Sequence, residues 1–237
     1  MDYPEQKEKF VDRMYSEWLP AFCDSRAGDF KVEGFHEKSL KRLTGYDACW
    51  FMEAVDKGFV VENGGFFTAP KSSAKEQVFW GGRKGMEIRD IYLWAEPVIT
   101  IGAVARLVEE FNWPIDLVGT QSKYPWPFDL VCYASNADDY IIACEVKKSK
   151  QEIVKLIDQM VSFSTVEPLQ TEPENATARN AYRKIVGIRE SWPEIFWALG
   201  PDGFEMVFRI QRVNGTDVFT LLELSDNTHL DRSLRKD

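Results

Sequence analysis

Residues 128–147 read FDLVCYASNADDYIIACEVK, two apolar runs on either side of a polar turn. The turn residues, 135–139, are of the types that favour chain reversal, so the runs 128–134 and 140–146 are predicted to pair as an antiparallel β-hairpin. An amphipathic helix is expected over 150–164, because apolar side chains recur there every three or four residues. They are Ile153, Leu156, Ile157, Met160 and Val161.

Further elements are predicted on both sides of this hairpin. A helix over 96–111, with Pro97 in its first turn, precedes a strand over 115–120. Downstream, three apolar runs read as strands, at 182–188, 204–212 and 218–224. The order of helix, three strands, helix and strand indicates an α/β domain with a mixed sheet.

The first part of the chain is predicted to be mostly helical. Residues 10–22 carry apolar side chains at helical spacing. Ser39 and Asp47 are candidate N-caps of two short helices, and Gly45 is expected to end the first of them.

A hairpin is expected after these helices, because apolar runs flank Asn63-Gly64-Gly65. Two short helices and a hairpin resemble a small winged-helix module, although many accessory subdomains carry a hairpin without binding nucleic acid. The expected division is an N-terminal accessory subdomain over 1–90 and an α/β domain over 91–237.

The amino-acid composition argues against several classes of protein. The 237 residues include 29 Lys and Arg against 38 Asp and Glu, a net charge of −9, which argues against a protein that coats nucleic acid non-specifically. No apolar run is long enough to span a membrane, and no secretory signal is expected at the N-terminus. The four cysteines lack CxxC spacing and only two histidines are present, so free thiols in a cytoplasmic protein are expected rather than a zinc site.

One group of residues carries chemistry. Asp129 opens the second predicted strand, and Glu145 and Lys147 end the third. Residues two apart on a strand share a face, and the hairpin places Asp129 beside the end of its neighbour. Two carboxylates and an ammonium group therefore converge at one edge of the sheet. Carboxylates suit a hard cation such as Mg²⁺ or Mn²⁺, which activates water and stabilises charge on a phosphate.

A simpler interpretation is an exposed strand end that carries a Glu–Lys ion pair. An acidic residue two before a lysine arises readily by chance, as in Glu5-Gln6-Lys7 and Asp29-Phe30-Lys31. Neither of those matches follows an apolar strand. Glu145-Val146-Lys147 both follows such a strand and precedes an amphipathic helix.

The strands around Asp129 and Glu145-Val146-Lys147 resemble the PD-(D/E)xK nuclease superfamily, which has the restriction-endonuclease-like fold. The resemblance covers residues from about 96 to 188, less than half of the chain. It implies that Asp129 and Glu145 bind the metal and that Lys147 is catalytic. Many members add a Glu near the start of the first core helix, where Glu96 stands, with Glu109 and Glu110 as weaker candidates.

Two features of the sequence depart from the family pattern. Pro127 is separated from Asp129 by one residue, whereas the family's Pro directly precedes its Asp. In addition, Trp113-Pro114-Ile115-Asp116 echoes the segment that leads to Asp129, so Asp116 is an alternative acid. Asp129 is preferred because its predicted strand pairs directly with that of Glu145.

Basic and aromatic residues near this site fit a substrate that bears phosphates. Lys148 and Lys150 adjoin Lys147, and Arg83 and Lys84 lie in the most basic short stretch of the chain, so all four are candidate DNA contacts. Solvated surface lysines and a plain basic linker are the alternative interpretations. A second basic run comprises Arg179, Arg183, Lys184 and Arg189. One or two tryptophans are candidates for stacking on bases, but the sequence does not single them out.

The leading hypothesis is a Mg²⁺- or Mn²⁺-dependent nuclease that hydrolyses DNA phosphodiester bonds with a metal-activated water. The alternative is a catalytically inactive nuclease-like fold that binds protein or nucleic acid. DNA is the expected partner, and a homodimer is compatible with a fold family in which many enzymes dimerise. No association with a membrane is expected.

Overall fold

The computed structural model of the chain describes residues 3–26, 28–82, 88–125, 127–135, 139–213 and 216–235. These residues form a mixed α/β structure around a mixed sheet of six strands. The α/β class predicted from the sequence is confirmed at this level.

The N-terminal part of the described chain is helical, as predicted. Helix α1 (Tyr3–Arg13) continues through a π-helical turn (Met14–Trp18) into α2 (Leu19–Asp24). A 3₁₀ helix (Glu37–Arg42) then leads to α3 (Gly45–Asp56). The aromatic side chains of these helices pack edge to face on one another, and these contacts hold the helices together.

The ends of the two short helices differ from the prediction. Ser39 lies inside the 3₁₀ helix, and Gly45 begins α3 instead of ending a helix. Thr44 is the N-cap of α3, since its hydroxyl accepts from the backbone N–H of Asp47 at 3.1 Å. The Asp47 carboxylate in turn accepts from the Thr44 hydroxyl at 2.7 Å, which fixes the two side chains at the start of α3.

The hairpin predicted around Asn63-Gly64-Gly65 is present. Strands β1 (Val61–Asn63) and β2 (Phe66–Thr68) pair antiparallel, and β3 (Glu76–Gln77) adds to β2. The turn glycines Gly64 and Gly65 have φ values of 62° and 77°, in the left-handed region that favours glycine. A separate ribbon follows, in which β4 (Phe79–Gly81) pairs with β5 (Ile91–Leu93).

The six-stranded sheet provides the frame for the site. Its strands are β6 (Val118–Thr120), β7 (Leu130–Tyr133), β8 (Tyr140–Val146), β9 (Ile195–Leu199), β10 (Glu205–Arg212) and β11 (Phe219–Glu223). They lie in the order β11-β10-β9-β8-β7-β6. The pair β8–β9 is parallel and all other neighbours in this sheet are antiparallel.

Helices cover both faces of this sheet. Helix α4 (Ala95–Glu109), together with α3, packs on the face that carries the side chains of Ile142 and Cys144. Helices α5 (Lys150–Ser164) and α6 (Ala176–Ser191) pack on the face that carries Ala143. Because both faces are covered, the side chains of β8 are nearly all apolar. The charged residue of this strand is Glu145, next to its end.

Two predictions in the second half of the chain are wrong. Residues 182–188 are the middle of α6 and not a strand, because Ala181, Ile185 and Ile188 share one buried helical face. Strand β9 was not predicted from the sequence, although it is a buried apolar run between Pro193 and Gly200. The strand predicted over 115–120 is shorter, since its first three residues form a 3₁₀ turn.

A single apolar cluster joins both parts of the described chain. It includes Phe10 and Phe51 from the N-terminal helices, Val104 from α4, and Cys144 and Trp197 from the sheet. The predicted boundary at residue 90 therefore separates segments that share a core. No helix in the described part of the chain is long and apolar enough to cross a membrane.

Candidate functional site

The ends of β7 and β8 bring Asp129, Glu145 and Lys147 together. The backbone N–H of Asp129 donates to the Cys144 carbonyl at 3.0 Å, which extends the antiparallel pairing up to the acid. The Asp129 Oδ2 accepts from the backbone N–H of Val146 at 2.8 Å. Glu145 and Lys147 project on the same face, with Oε1 and Nζ 2.5 Å apart. The strand geometry thus produces the convergence that the sequence predicts.

A second lysine reaches the same carboxylate from helix α6. The Nζ of Lys184 lies 2.5 Å from Oε2 of Glu145, and it also contacts the carbonyl oxygen of Pro127. The Lys184 side chain is 8% exposed and that of Glu145 is 2% exposed. Sequence analysis placed Lys184 in a basic run on a strand, so its role here was missed. Only the helical form of residues 176–191 turns Lys184 toward the sheet.

The two ammonium groups decide the charge of Glu145. Burial alone would raise the pKa of this carboxyl, but Lys184 and Lys147 outweigh the burial and hold the pKa below its usual value. Burial lowers the pKa of Lys147, and the neighbouring carboxylates, Glu145 foremost, more than reverse that effect and raise it. Glu145 and Lys147 are therefore both charged at neutral pH.

Asp129 has the opposite environment. Burial raises its pKa to about 7, with a further contribution from the charge of Glu145, while Lys184 and Lys147 offset part of the shift. Of the two acids, Glu145 is neutralised by direct ion pairs and Asp129 is held by one backbone N–H. An added cation would therefore stabilise the charged form of Asp129 more than that of Glu145.

Glu96 borders the site from the first turn of α4. Its Oε1 accepts from the backbone N–H of Lys148 at 3.2 Å, and its Oε2 accepts from the indole N–H of Trp94 at 3.2 Å. The charge of Glu96 also contributes to the raised pKa of Lys147. The structure therefore places Glu96 next to the group formed by Asp129, Glu145 and Lys147, as the resemblance implies.

Glu76, on β3, is a further acid that the sequence analysis did not identify. Its side chain is 5% exposed, and its Oε1 accepts from the amide of Gln121 at 2.6 Å. Burial, together with the charges of Asp129 and Glu96, raises its pKa to about 8, although the hydrogen bond from Gln121 offsets part of the shift. No local pattern marks Glu76, because only the docking of β3 next to residue 121 brings it here.

Asp116 lies away from this group. It occupies the exposed 3₁₀ turn before β6, whereas the opposite end of β6 leads to Gln121, whose N–H donates to the Asp129 carbonyl. Glu109 and Glu110, at the far end of α4, form ion pairs with Lys57 and Arg106. These positions favour Asp129 and Glu96 as the acids of the site.

The predicted DNA contacts are placed differently from one another. Lys148 is exposed beside Glu96 and forms an ion pair with Glu152 at 3.4 Å. Lys150 is also exposed, but its Nζ lies over the ring of Phe204 at 4.9 Å. Arg83 and Lys84 lie outside the described residues.

The donor set suits a hard divalent cation. Within the described residues, no three His, Cys, Asp or Glu side chains are arranged to hold a metal ion. Mg²⁺ keeps several of its waters, however, and one or two protein carboxylates are enough to bind it. Asp129 and Glu145 are the two carboxylates in position, and Glu96 and Glu76 are the further acids near them.

Replacement of Lys184 should reveal how strongly the buried ion pair supports the fold. We expect Lys184→Met to lower the free energy of unfolding by about 3 kcal/mol, because Glu145 would keep only one of its two cations. Arg183→Met is the matched control on the same helix, since the Arg183 side chain is 60% exposed and its loss should cost less than about 0.5 kcal/mol. Urea denaturation followed by circular dichroism measures both, and equal losses would contradict the assignment.

Glu76 should make the stability of the protein depend on pH. Its pKa is about 8 in the folded chain against an ordinary value of 4.5, so folding retains a proton that the unfolded chain releases. That stabilisation is complete below about pH 4.5 and is lost as the pH rises through 8, with a slope of at most about 1.4 kcal/mol per pH unit.

Glu76→Gln keeps the acceptor oxygen for Gln121 and cannot ionise, so its stability should fall less than that of the wild type between pH 6 and pH 9. Urea midpoints at the two pH values measure this difference. Glu167→Gln, in an exposed polar segment, is the control. Parallel pH profiles for the wild type and Glu76→Gln would count against a proton held at Glu76.

Comparison of the chain with protein-family models, curated proteins and solved structures found no match in any of the three. The resemblance to the PD-(D/E)xK nucleases therefore depends on the residues of this chain and on their placement.

Proposed function

We propose that the protein is a Mg²⁺- or Mn²⁺-dependent nuclease of the PD-(D/E)xK type that hydrolyses DNA phosphodiester bonds. The observation that carries the proposal is the convergence of Asp129, Glu145 and Lys147 at the paired ends of β7 and β8. The same residue types on a strand end without the paired acid would be only a surface ion pair.

The order of elements around the site supports the proposal. Helix α4, the antiparallel strands β6, β7 and β8, helix α5 and the parallel strand β9 follow one another along the chain. That is the order of helix, three antiparallel strands, helix and strand that the resemblance implies, with α6 added before the last strand. The finer prediction, a restriction-endonuclease-like fold, is part of this proposal.

Each residue of the site has a definite task in this mechanism. Asp129 and Glu145 would hold a Mg²⁺ ion, which when bound would supply an activated water and neutralise charge on the phosphate. The N–H of Val146 fixes the orientation of the Asp129 carboxylate. Lys147 places a charged ammonium group where negative charge develops on the phosphate oxygens.

Two further residues position this group. Lys184, on α6, contacts Oε2 of Glu145, so that the carboxylate stays ionised although it is buried. Glu96 ties the start of α4 to the backbone of Lys148 and so fixes the turn between β8 and α5. Neither residue needs to contact substrate to affect the reaction.

A binding module without catalysis is the second candidate, and one observation favours it. Both carboxylate oxygens of Glu145 already face ammonium groups, so this acid is neutralised without any metal. In that case the fold would serve only to present a surface to a protein or nucleic acid. Metal binding separates the two candidates.

Plasmid nicking tests the proposed reaction and the choice of acid. With Mg²⁺ or Mn²⁺, Asp129→Asn and Lys147→Ala should each lower the rate of nicking by at least about 100-fold. The first removes a negative charge proposed to bind the metal, and the second removes the positive charge proposed to lie beside the reacting phosphate. Asp116→Asn, the matched variant at the alternative acid, should cut at the wild-type rate. Loss of activity in Asp116→Asn with retention in Asp129→Asn would reverse the assignment, and equal nicking by the wild type and all variants would end the proposal.

Calorimetry with metal tests the donor set without turnover. We expect the wild type to bind Mn²⁺ and Asp129→Asn to bind it at least about tenfold more weakly, because a carboxylate ligand becomes a neutral amide. Ca²⁺, which is also a hard cation, should bind at the same place. A wild type that gives no heat with Mg²⁺, Mn²⁺ or Ca²⁺ would support the binding module instead.

A further inference from the structure

A groove of about 560 Å³ opens on the surface next to the candidate active site. It lies between the 3₁₀ helix 37–42, the β4–β5 ribbon and the turn that carries Lys148. Its lining combines aromatic rings with cations, and the residues that matter here are Trp80, Tyr92, Trp94, Lys38, Arg42 and Lys148. We call this feature the aromatic groove.

Two tryptophans of the aromatic groove are unusually open to solvent. Trp80 is 56% exposed and Trp94 is 39% exposed, and their rings meet edge to face with centroids 5.7 Å apart. Trp80 is paired with Tyr92 across the β4–β5 ribbon, so a third ring stands beside them. Neighbouring rings exposed together form an apolar patch, and such patches mark sites of interaction.

The aromatic residues are held in place. The ring of His36 stacks on Tyr92 with centroids 4.6 Å apart and an interplanar angle of 19°. The Nε2 of His36 is in turn 2.7 Å from the carboxylate of Asp90. The indole N–H of Trp94 is fixed by Glu96. A flat ligand would therefore meet two rings, those of Tyr92 and Trp94, that these contacts already hold in place, which lowers the entropic cost of binding.

The cations in the lining of the groove are Lys38, Arg42 and Lys148. Lys38 and Arg42 lie on the 3₁₀ helix, and no carboxylate in the described part of the chain is within ion-pair distance of either. Two acids contact these residues from outside the lining: Asp90, which pairs with His36, and Glu96, which accepts from the Trp94 indole N–H and the Lys148 backbone N–H. In a chain with a net charge of −9, this is a local surface suited to an anion that also has flat rings.

The aromatic groove is continuous with the candidate active site. Trp94 and Lys148 both line it, and both donate hydrogen bonds to the Glu96 carboxylate. Lys148 directly follows Lys147 in the chain. A ligand in the groove would thus be next to the residues proposed to cut it.

We propose that the aromatic groove binds unpaired nucleotides of a DNA strand, with bases stacked on Trp80 and Trp94 and phosphates near Lys38, Arg42 and Lys148. The proposal depends on the proposed nuclease function and names its substrate class, a single-stranded stretch beside the cut phosphate. Bases within a duplex are stacked on one another and cannot reach the rings, whereas unpaired bases can. The volume of the groove limits it to a short stretch of nucleotides.

Binding without metal tests this inference apart from catalysis. The full-length protein is titrated in EDTA against fluorescein-labelled 15-mer poly(dT) and a 15-base-pair duplex, and fluorescence anisotropy is measured. We expect the single strand to bind at least about tenfold more tightly, because only unpaired bases can stack. Trp80→Ala should weaken binding of the single strand about tenfold and leave duplex binding unchanged, while Trp80→Phe should retain most of the affinity.

Matched variants separate the groove from general effects. Tyr3→Ala removes a ring that is also 39% exposed but lies in α1 against Tyr46, and it should bind as the wild type does. Arg42→Ala should reduce the slope of log K against log salt by about 0.7, the value for one lost phosphate contact on a single strand. Lys155→Ala, an exposed lysine on α5, should leave that slope unchanged.

Three results would overturn the proposal. These are equal affinity for single strand and duplex, unchanged binding in Trp80→Ala, and binding of thymidine monophosphate as tight as that of poly(dT), which would indicate a small-molecule site. The expected binding pattern, with no cleavage of either plasmid or single-stranded DNA in Mg²⁺, would sustain the groove and refute the nuclease. Nicking that requires Asp129 while Trp80→Ala binds normally would do the reverse.

Discussion

The burial of Glu145 is the constraint on which the other features of the site depend. A carboxylate that is 2% exposed at the end of a central strand must be compensated, because an unpaired buried charge is unstable. Lys147 supplies one cation from the residue that follows the strand, and Lys184 supplies the other from α6. The second contact ties α6 to the sheet edge, so the position of that helix and the ionised state of Glu145 are linked.

The same constraint divides the acids of the site into two kinds. Glu145 is charged and fully engaged, whereas Asp129 and Glu76 are buried with fewer cations near them and have raised pKa values, of about 7 and 8. The charge of Asp129 helps to raise the pKa of Glu76, as the charge of Glu145 does for Asp129, and a cation near Asp129 would lower both pKa values. Proton uptake and cation binding are therefore expected to compete at this edge of the sheet.

The elements that the sequence predicts well are those whose information is local. The strand 140–146 and the helix 150–164 match the structure because an apolar run and a helical stripe each occupy one continuous segment. The turn signal at residues 63–65 is local in the same way. From the hairpin alone, the meeting of Asp129, Glu145 and Lys147 could be predicted, since antiparallel pairing fixes which strand ends are neighbours.

What the sequence could not provide depends on contacts between distant segments. Residues 182–188 were predicted as a strand from their apolar side chains, whereas the packing of Ala181 and Ile185 on the sheet selects the helix. That helix is what turns Lys184 toward Glu145. Glu76 joins the site through a two-residue strand, too short for any pattern to show. The residues that tune the charges of the site are thus the ones supplied by tertiary structure.

Net charge is a poor guide to what such a surface binds. The overall charge of −9 argues against non-specific association with DNA, yet part of the acidity lies in the carboxylate group at the ends of β7 and β8, where a cation would neutralise it. The aromatic groove beside that group has the opposite balance, with Lys38 and Arg42 free of ion pairs in the described chain. An acidic protein with one basic, aromatic groove would repel a duplex from most of its surface and retain a strand only where stacking adds to charge. The overall acidity would then add to the selectivity of the groove, because weak electrostatic attraction leaves the stacking of bases to determine what is bound.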